Sequence, residues 1–340
     1  MNAVAVRQRG LSLIELMISM TLGLMLLAIL ISIYLSVKQT YTVQDNLARM
    51  QENARLALRL ISHDVRMAGD WGDTVQYWSL HESSDAPLGA VGSECYPGWA
   101  HAPALPSDNL PAPALVGSNG SRSVFAGCID ASEFVAGSDA LALHFAEANA
   151  LANSAIETGK VYLRSALLSG LLFKARADKT LPTDVAAVSA ASTYRVTAVT
   201  YYVRPWSIVA PTKARPKGDD IPTLMRATLS DCGASTCVKN DALVEGIANV
   251  QIQYRLDPDS GYLNADQLGD FATAAGKQHW RQVRALRIGL LARSLSPEAN
   301  FVDGNAPYHL GDQTVRVASG YRNFWITSTI ALRNPDNNGP

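Results

Sequence analysis

The 340-residue sequence is short of charged side chains and has almost no net charge. Asp, Glu, Lys and Arg make up 17% of it, where about a quarter is usual, and the formal net charge is -1. A chain with this balance has no general electrostatic attraction for nucleic acid or acidic membranes. Low charge combined with abundant Ala, Ser, Thr and Gly in the second half favours an exported β-rich protein over a cytosolic enzyme.

The sequence also lacks the common catalytic motifs. It contains no H-E-x-x-H, no G-x-S-x-G and no phosphate-binding glycine loop, and its six His residues are scattered. No C-x-x-C pair is present, and no internal repeat is evident. We therefore predict a protein that is not an enzyme and has no catalytic, cofactor-binding or metal-binding residues.

The longest uncharged segment lies near the start of the chain. Leu16 to Val37 contains no charged residue and, as a helix, is long enough to cross a hydrocarbon core of about 30 Å. Its Leu, Ile and Val residues favour insertion by about 5 kcal/mol in sum, which outweighs the penalty of one acid, Glu15, near its end. Because Arg7 and Arg9 precede the segment, we expect a cytoplasmic N-terminus and an exported C-terminal part.

The helical pattern continues beyond the membrane segment. Asp45 and Arg49 are spaced as a supporting ion pair, and Gly69 is a stop signal. One apolar face is formed by residues at three- and four-residue steps, namely Leu47, Met50, Ala54, Leu58, Ile61 and Val65. The sequence predicts one helix over about 11–68, with a transmembrane half (11–37) and an amphipathic half (38–68) that docks on a folded domain or on neighbouring helices.

The remainder of the chain predicts strands. Residues 192–204 are rich in β-formers with a blurred alternation, which favours a strand buried on both sides. Clear period-two alternation is found in 250–256, 284–292 and 323–333. We predict an α+β fold, in which the long N-terminal helix packs on a C-terminal antiparallel β-sheet domain over 69–340.

Two stretches interrupt this pattern. Residues 81–137 are rich in Pro, Ala, Gly and Ser and predict a long irregular excursion, either exposed and functional or a structured insertion. Residues 204–222 predict a second loop between two strands.

The four cysteines predict two disulfides in an exported domain. Cys232 and Cys237 enclose four residues and could close a turn between strands, which would leave Cys95 to pair with Cys128. The other two connectivities remain alternatives, as does one zinc ion on four thiolates.

The stretch "RGLSLIELMISM" (9–20) resembles the class III signal of type IV pilins and pseudopilins. The resemblance implies a leader over residues 1–10, prepilin peptidase cleavage between Gly10 and Leu11, and N-methylation of Leu11. Glu15 corresponds to the family's acid, which neutralises the new α-ammonium of the same or a neighbouring subunit and so serves subunit assembly. The sequence departs from the family at Leu11, where Phe is common. The alternative is that Glu15 merely reaches the lipid headgroups.

Downstream segments extend the resemblance to the PilW-type minor pilins. They stand in the order found in that group: "MAGDWG", "VTYYVR", "LVEGIANVQIQYRLD", "VRALRIGLLAR" and "STIALRN". The resemblance implies a minor pilin that helps prime assembly of a type IV pilus and is incorporated in it. It further implies a single-pass inner-membrane location with a periplasmic domain. The implied partners are other minor pilins, the major pilin, prepilin peptidase, the inner-membrane assembly platform and the lipid bilayer.

Other functions remain open. A J-type pseudopilin of type II secretion shares the same signal, and deleting the gene separates the two by whether surface pili or a secreted enzyme are lost. A membrane-tethered periplasmic enzyme or receptor would need neither Gly10 nor Glu15. A tip adhesin or DNA receptor would use the segment from Pro103 to Pro113.

An acidic loop and a group of arginines resemble binding sites but favour simpler structural interpretations. Asp257, Asp259, Asn264 and Asp266 resemble half of a calcium loop, but Gly261 stands at a ligand position and no closing Glu is present, which favours a hairpin turn. Nucleic acid is not an expected partner, because alternation places Arg284 and Arg287 on opposite faces of a strand. The basic cluster as a whole comprises Arg281, Arg284, Arg287 and Arg293.

Overall fold

A computed structural model describes most of the chain. The described residues are 12–74, 80–88, 94–96, 99, 113–158, 160–232, 236–257, 261–298, 301–304 and 306–333.

The first element is a single long helix, as predicted. Helix α1 spans Leu13–Met67, 55 residues without a break. Gly69, with φ of +78°, follows its last turn, and this left-handed conformation favours glycine at a helix end. The chain forms two compact units, one up to Arg49 and one from Met50 onward, and each is described by itself.

The described part of the second unit contains thirteen strands and two short α-helices. The helices are α2 (Thr183–Ala186) and α3 (Ala274–Arg281). The strands are β1 (Leu80–Glu82), β2 (Leu115–Ser118), β3 (Ala140–Ala146), β4 (Val161–Ala166), β5 (Ser169–Lys174), β6 (Ser192–Arg204), β7 (Thr223–Asp231), β8 (Thr236–Glu245), β9 (Ile247–Arg255), β10 (Ala285–Arg293), β11 (Tyr308–Leu310), β12 (Gln313–Val315) and β13 (Asn323–Ala331).

The strands form three sheets. The largest has eight strands in the order β1-β5-β4-β6-β3-β2, with β7 paired to the second half of β6 and β8 paired to β7. A three-stranded sheet has the order β13-β10-β9, and β11 with β12 forms a hairpin. The predicted strands correspond to β6, β9, β10 and β13, and the predicted loop after Arg204 ends where β7 begins.

One pairing departs from the predicted antiparallel arrangement. β1 runs parallel to β5, with Leu80 opposite Gly170, whereas the other strand pairs are antiparallel. A parallel pair requires a long crossover, and the chain between β1 and β5 is long enough to provide one. Apart from this edge, the predicted antiparallel arrangement is confirmed.

Strand β6 lies between two hydrophobic cores, which explains its blurred alternation. Val199, Tyr201 and Val203 face the core that contains α1, while Ala198 and Tyr202 face a second core. The last seven residues of β6 are all buried. The prediction of a strand buried on both sides is confirmed.

The second half of α1 packs against the first core. Its apolar stripe is buried at Met50, Ala54, Ile61 and Val65, as predicted.

Two positions of α1 differ from the predicted apolar stripe. Leu47 is 40% exposed, and Ala57 is fully buried although the predicted stripe omitted it. Ala57 lies three residues after Ala54 and four before Ile61, so it belongs to the same helical face, whereas Leu47 lies one turn before Met50, where burial of that face begins.

The excursion over 81–137 forms the second core where it is described. Leu88, Trp99 and Phe125 have no exposed surface, and Tyr96 and Ile129 are nearly as buried. These residues cover the face of the large sheet opposite α1. The buried side chains favour a structured insertion over a wholly exposed loop in the described part of this segment.

Candidate functional site along the N-terminal helix

Glu15 lies in the first turn of α1 and closes a capping box with Ser12. The Ser12 backbone N–H donates to Glu15 Oε2 at 3.2 Å, and the Glu15 backbone N–H donates to Ser12 Oγ at 3.2 Å. This reciprocal pair satisfies two helix N–H groups that otherwise lack partners. The carboxylate therefore sits at the helix N-terminus, where negative charge is favourable.

The helix that follows Glu15 is apolar and exposed. Among the described residues, α1 is the one helix long and apolar enough to cross a membrane by length and composition, and its most apolar 18-residue window has no buried residue. Large side chains such as Leu24 and Leu30 are more than 60% exposed. An apolar surface of this size is stable only in lipid or against other proteins.

The predicted cleavage and methylation residues, Gly10 and Leu11, lie outside the described residues. Their roles stay predictions.

A buried polar contact fixes the second half of α1 to the sheet. Tyr201 Oη on β6 donates to Asp64 Oδ2 at 2.6 Å, and His63 Nδ1 lies 3.0 Å from Asp64 Oδ1. Burial and the Asp64 charge raise the pKa of Tyr201 well above its usual value, so it stays a hydrogen-bond donor. About three turns of the helix further back, Asn53 Nδ2 donates to the Glu245 carbonyl at 3.0 Å.

Replacing Tyr201 by Phe is expected to lower the free energy of unfolding by about 1.5–3 kcal/mol, because a buried carboxylate loses its donor. Tyr202→Phe is the matched control. Tyr202 is also fully buried, but its hydroxyl has no hydrogen-bond partner among the described residues. We expect that control to be neutral or slightly stabilising.

Urea unfolding of both variants, followed by tryptophan fluorescence, measures the difference. Equal losses of stability in the two variants would show that the Asp64 contact contributes nothing beyond packing.

The cysteines form two disulfides. Cys95 pairs with Cys128, and Cys232 pairs with Cys237. The first is part of the second core, beside Tyr96 and Trp99, and joins two parts of the excursion. The second joins the residue after β7 to the second residue of β8. Because all four sulfurs are paired, the alternative of a four-thiolate zinc site is wrong.

The other predicted clusters are dispersed. Arg287 is exposed and lies over the Tyr262 ring at 3.8 Å, whereas Arg293 is 8% exposed and lies over Tyr321 at 3.9 Å. The two guanidinium groups therefore contact different rings, one at the surface and one in the interior.

The acidic loop before α3 has a structural role. Asn264 caps a short 3-10 helix over Ala265–Leu268, and Asp266 accepts a hydrogen bond from Asn119 at 3.0 Å. Asp259 lies outside the described residues. Within the part of the chain that is described, no group of three or more His, Cys, Asp or Glu side chains could hold a metal ion.

Two features of the helix were missed from the sequence. Asp64 is a buried anchor rather than a solvated acid, and its partner Tyr201 is 137 residues away. An acid on the apolar side of the helix, next to Val65, was the available signal. The Ser12–Glu15 capping box was also overlooked, although Ser followed by Glu at the third position is its usual signature.

Comparison with known families gives two matches at opposite ends of the chain. Residues 6–31 match the prokaryotic N-terminal methylation motif, and residues 200–334 match the model described as type IV pilus-assembly protein W. The first match covers the start of α1 and its capping box. The second begins in β6 and runs past β13, so it includes Tyr201, the hydrogen-bond partner of Asp64 in α1. No curated protein and no solved structure matches the chain.

Proposed function

We propose that this chain, whose two family matches are consistent with a type IV minor pilin of the PilW type, helps prime assembly of a type IV pilus and is then incorporated into it. Prepilin peptidase cuts between Gly10 and Leu11 and the new amine of Leu11 is methylated. The apolar half of α1 holds the mature protein in the inner membrane, with the β-rich domain in the periplasm. On assembly, that half leaves lipid and packs among the helices of other minor pilins and the major pilin.

The continuity of α1 is the observation that carries this proposal. One unbroken helix begins in the methylation motif with a capped Glu15, is exposed and apolar through its first half, and ends buried against β6. An ordinary membrane tether does not need its apolar helix to continue into the folded domain. A filament subunit carries its packing contacts and its folded domain on one helix.

Methylation and cleavage are tested by mass spectrometry of the protein isolated from membranes of its native host. We expect an N-terminal peptide that begins with methylated Leu11. We expect Gly10→Val to accumulate as a precursor that begins before residue 10, because a side chain at this position blocks access of the peptidase to the backbone.

A wild-type protein that still begins at Met1, or that is cut beyond Val37, contradicts the proposal. A Gly10→Val variant with full activity would favour the membrane-tethered receptor instead. Ala3→Val introduces the same side chain elsewhere in the leader, away from the cleavage site, and serves as the control for expression.

The PilW-type match favours the pilus over the J-type secretion pseudopilus. The remaining alternative, a tip adhesin or DNA receptor, depends on residues 103–113, which lie almost wholly outside the described residues. No observation on the described part of the chain favours it.

A further inference from the structure

A basic groove runs along the exposed face of α1 in the second unit. Three arginines, Arg55, Arg59 and Arg66, follow one another along the helix and are exposed, and Arg333 joins them from the end of β13. Together with apolar side chains these residues enclose about 430 Å³. The groove thus combines four guanidinium groups from two distant parts of the chain.

The four guanidinium groups have no carboxylate partner. None of them lies within 4.0 Å of an acid in the described part of the chain, and no Asp or Glu lines the groove. Asp64, the nearest acid on the same stretch of helix, is directed inward to Tyr201. Like charges four residues apart on a helix, as at Arg55 and Arg59, are destabilising.

Three other arginines of this domain lie within 4.0 Å of an acid, whereas Arg287 and Arg293 contact aromatic rings. Arg322 lies 2.8 Å from Glu298, Arg195 lies 3.4 Å from Glu157, and Arg204 lies 4.0 Å from Glu133. The chain as a whole carries a formal net charge of -1. The unpaired cluster is therefore a local feature and does not reflect a generally basic protein.

The lining of the groove indicates the chemistry of its occupant. Leu58 and Met67 are half-buried and form apolar walls between the arginines. No Phe, Tyr or Trp lines the groove, and its one aromatic ring, the His63 imidazole, lies 3.0 Å from Asp64, so the groove has few stacking surfaces of the kind that hold single-stranded nucleic acid. A combination of carboxylates and apolar side chains complements this surface better than a phosphate alone.

We propose that the basic groove docks an acidic amphipathic segment of a neighbouring pilin-family subunit. The carboxylates of that segment pair with Arg55, Arg59 and Arg66, and its apolar side chains cover Leu58 and Met67. The identity of the partner class rests on the proposed function, whereas the charge and shape of the groove do not.

Charge reversal in the full-length protein tests the proposal. Arg59→Glu combined with Arg66→Glu places two acids in the groove, and Arg215→Glu combined with Lys217→Glu makes the same charge change on the exposed loop before β7. We expect the groove variant to be cleaved and methylated normally but to be incorporated into sheared filaments about tenfold less than wild type or worse. The loop variant is expected to be incorporated as wild type.

A photoreactive phenylalanine derivative at Leu58 identifies the occupant in living cells. The expected product is a cross-link to a peptide of another pilin-family subunit that contains at least one Asp or Glu. Exchanging its acids for Arg is expected to restore incorporation of the groove variant. This rescue distinguishes a specific pairing from a general loss of fold.

Four results would overturn the proposal: normal incorporation of the groove variant, the absence of a cross-linked pilin peptide, a cross-link to nucleic acid or phospholipid, and a cross-link to residues 334–340 of the same chain. Those seven residues contain one acid, Asp336. If the protein proves to begin at Met1, the proposed function fails. Normal processing with unchanged incorporation refutes the groove alone.

Discussion

Replacing Glu15 by Gln is expected to leave cleavage intact and to reduce incorporation into the filament by on the order of 1000-fold. The α-ammonium of mature Leu11 and the Glu15 carboxylate would lie in a region without water, where each charge is costly unless the other neutralises it. Removing the carboxylate leaves an unpaired cation, and the loss of one partner of a buried ion pair costs about 3–5 kcal/mol. The ratio of mature protein in sheared filaments to that in membranes measures the effect.

The choice of Gln separates two roles of the side chain. Glu15 closes the capping box with Ser12 through one oxygen, and Gln supports the same box with its amide oxygen. Gln therefore preserves the helix start and removes only the charge. Ser12→Ala is the converse control, because it weakens the cap by about 1 kcal/mol and keeps the acid.

If Glu15→Gln is incorporated as well as wild type, the acid only caps the helix or reaches the headgroups. If Ser12→Ala is lost from filaments as completely as Glu15→Gln, the cap and not the charge is the critical feature. Intact-mass measurement on the same membranes shows whether each variant has been cleaved, so a failure of processing is recognised separately.

Local sequence patterns were sufficient to predict the long helix and the main strands. The absence of Gly and Pro after Leu24 and the apolar stripe predicted a helix to about residue 68, and α1 ends at Met67. Residues 192–204 coincide with β6 because strong β-formers run without interruption to the loop that contains Pro205. In both cases the signal lies within one element and depends only on its own periodicity.

Contacts between distant parts of the chain could not be predicted from local periodicity. Periodicity shows that β1 is extended but does not show that it pairs in parallel with β5, about 90 residues later. The composition of 81–137 indicated irregular structure, yet Tyr96 and Trp99 are buried because the large sheet has a second apolar face to cover. The sequence of α1 contains its arginines, but the groove also needs Arg333, which the fold brings from the far end of the chain.

Two buried ionisable groups are expected to give the β-rich domain opposing responses to pH. Asp139 is 3% exposed and accepts hydrogen bonds from the backbone N–H groups of Gly120 and Ile252 at 2.8 and 2.6 Å. Burial nevertheless raises the pKa of Asp139 from 3.8 to about 7. His144 is fully buried, with Nε2 3.1 Å from the Trp99 carbonyl, and burial lowers the pKa of His144 from 6.5 to about 4.

The direction in which stability changes with pH follows from the number of protons bound by the folded and the unfolded chain. Between about pH 4 and 7 the unfolded chain has released the Asp139 proton and the folded chain has kept it, so stability falls as pH rises, by about 4 kcal/mol in total. Between about pH 4 and 6.5 the unfolded chain has protonated His144 and the folded chain has not, so stability rises with pH by about 3 kcal/mol. In the wild type the two contributions nearly cancel over this range.

Single substitutions are expected to separate the two contributions. Asp139→Asn removes the first, so the free energy of unfolding of this variant should rise relative to wild type by about 1 kcal/mol for each pH unit between 4 and 7. His144→Gln removes the second, so its free energy of unfolding should fall relative to wild type as pH increases from 4 to 6.5. Urea unfolding of the detergent-solubilised full chain at pH 4, 5, 6 and 7 measures these differences, and the comparison cancels the groups that titrate equally in all three proteins. A difference between wild type and Asp139→Asn that does not change with pH would mean that the two backbone donors keep Asp139 ionised despite its burial.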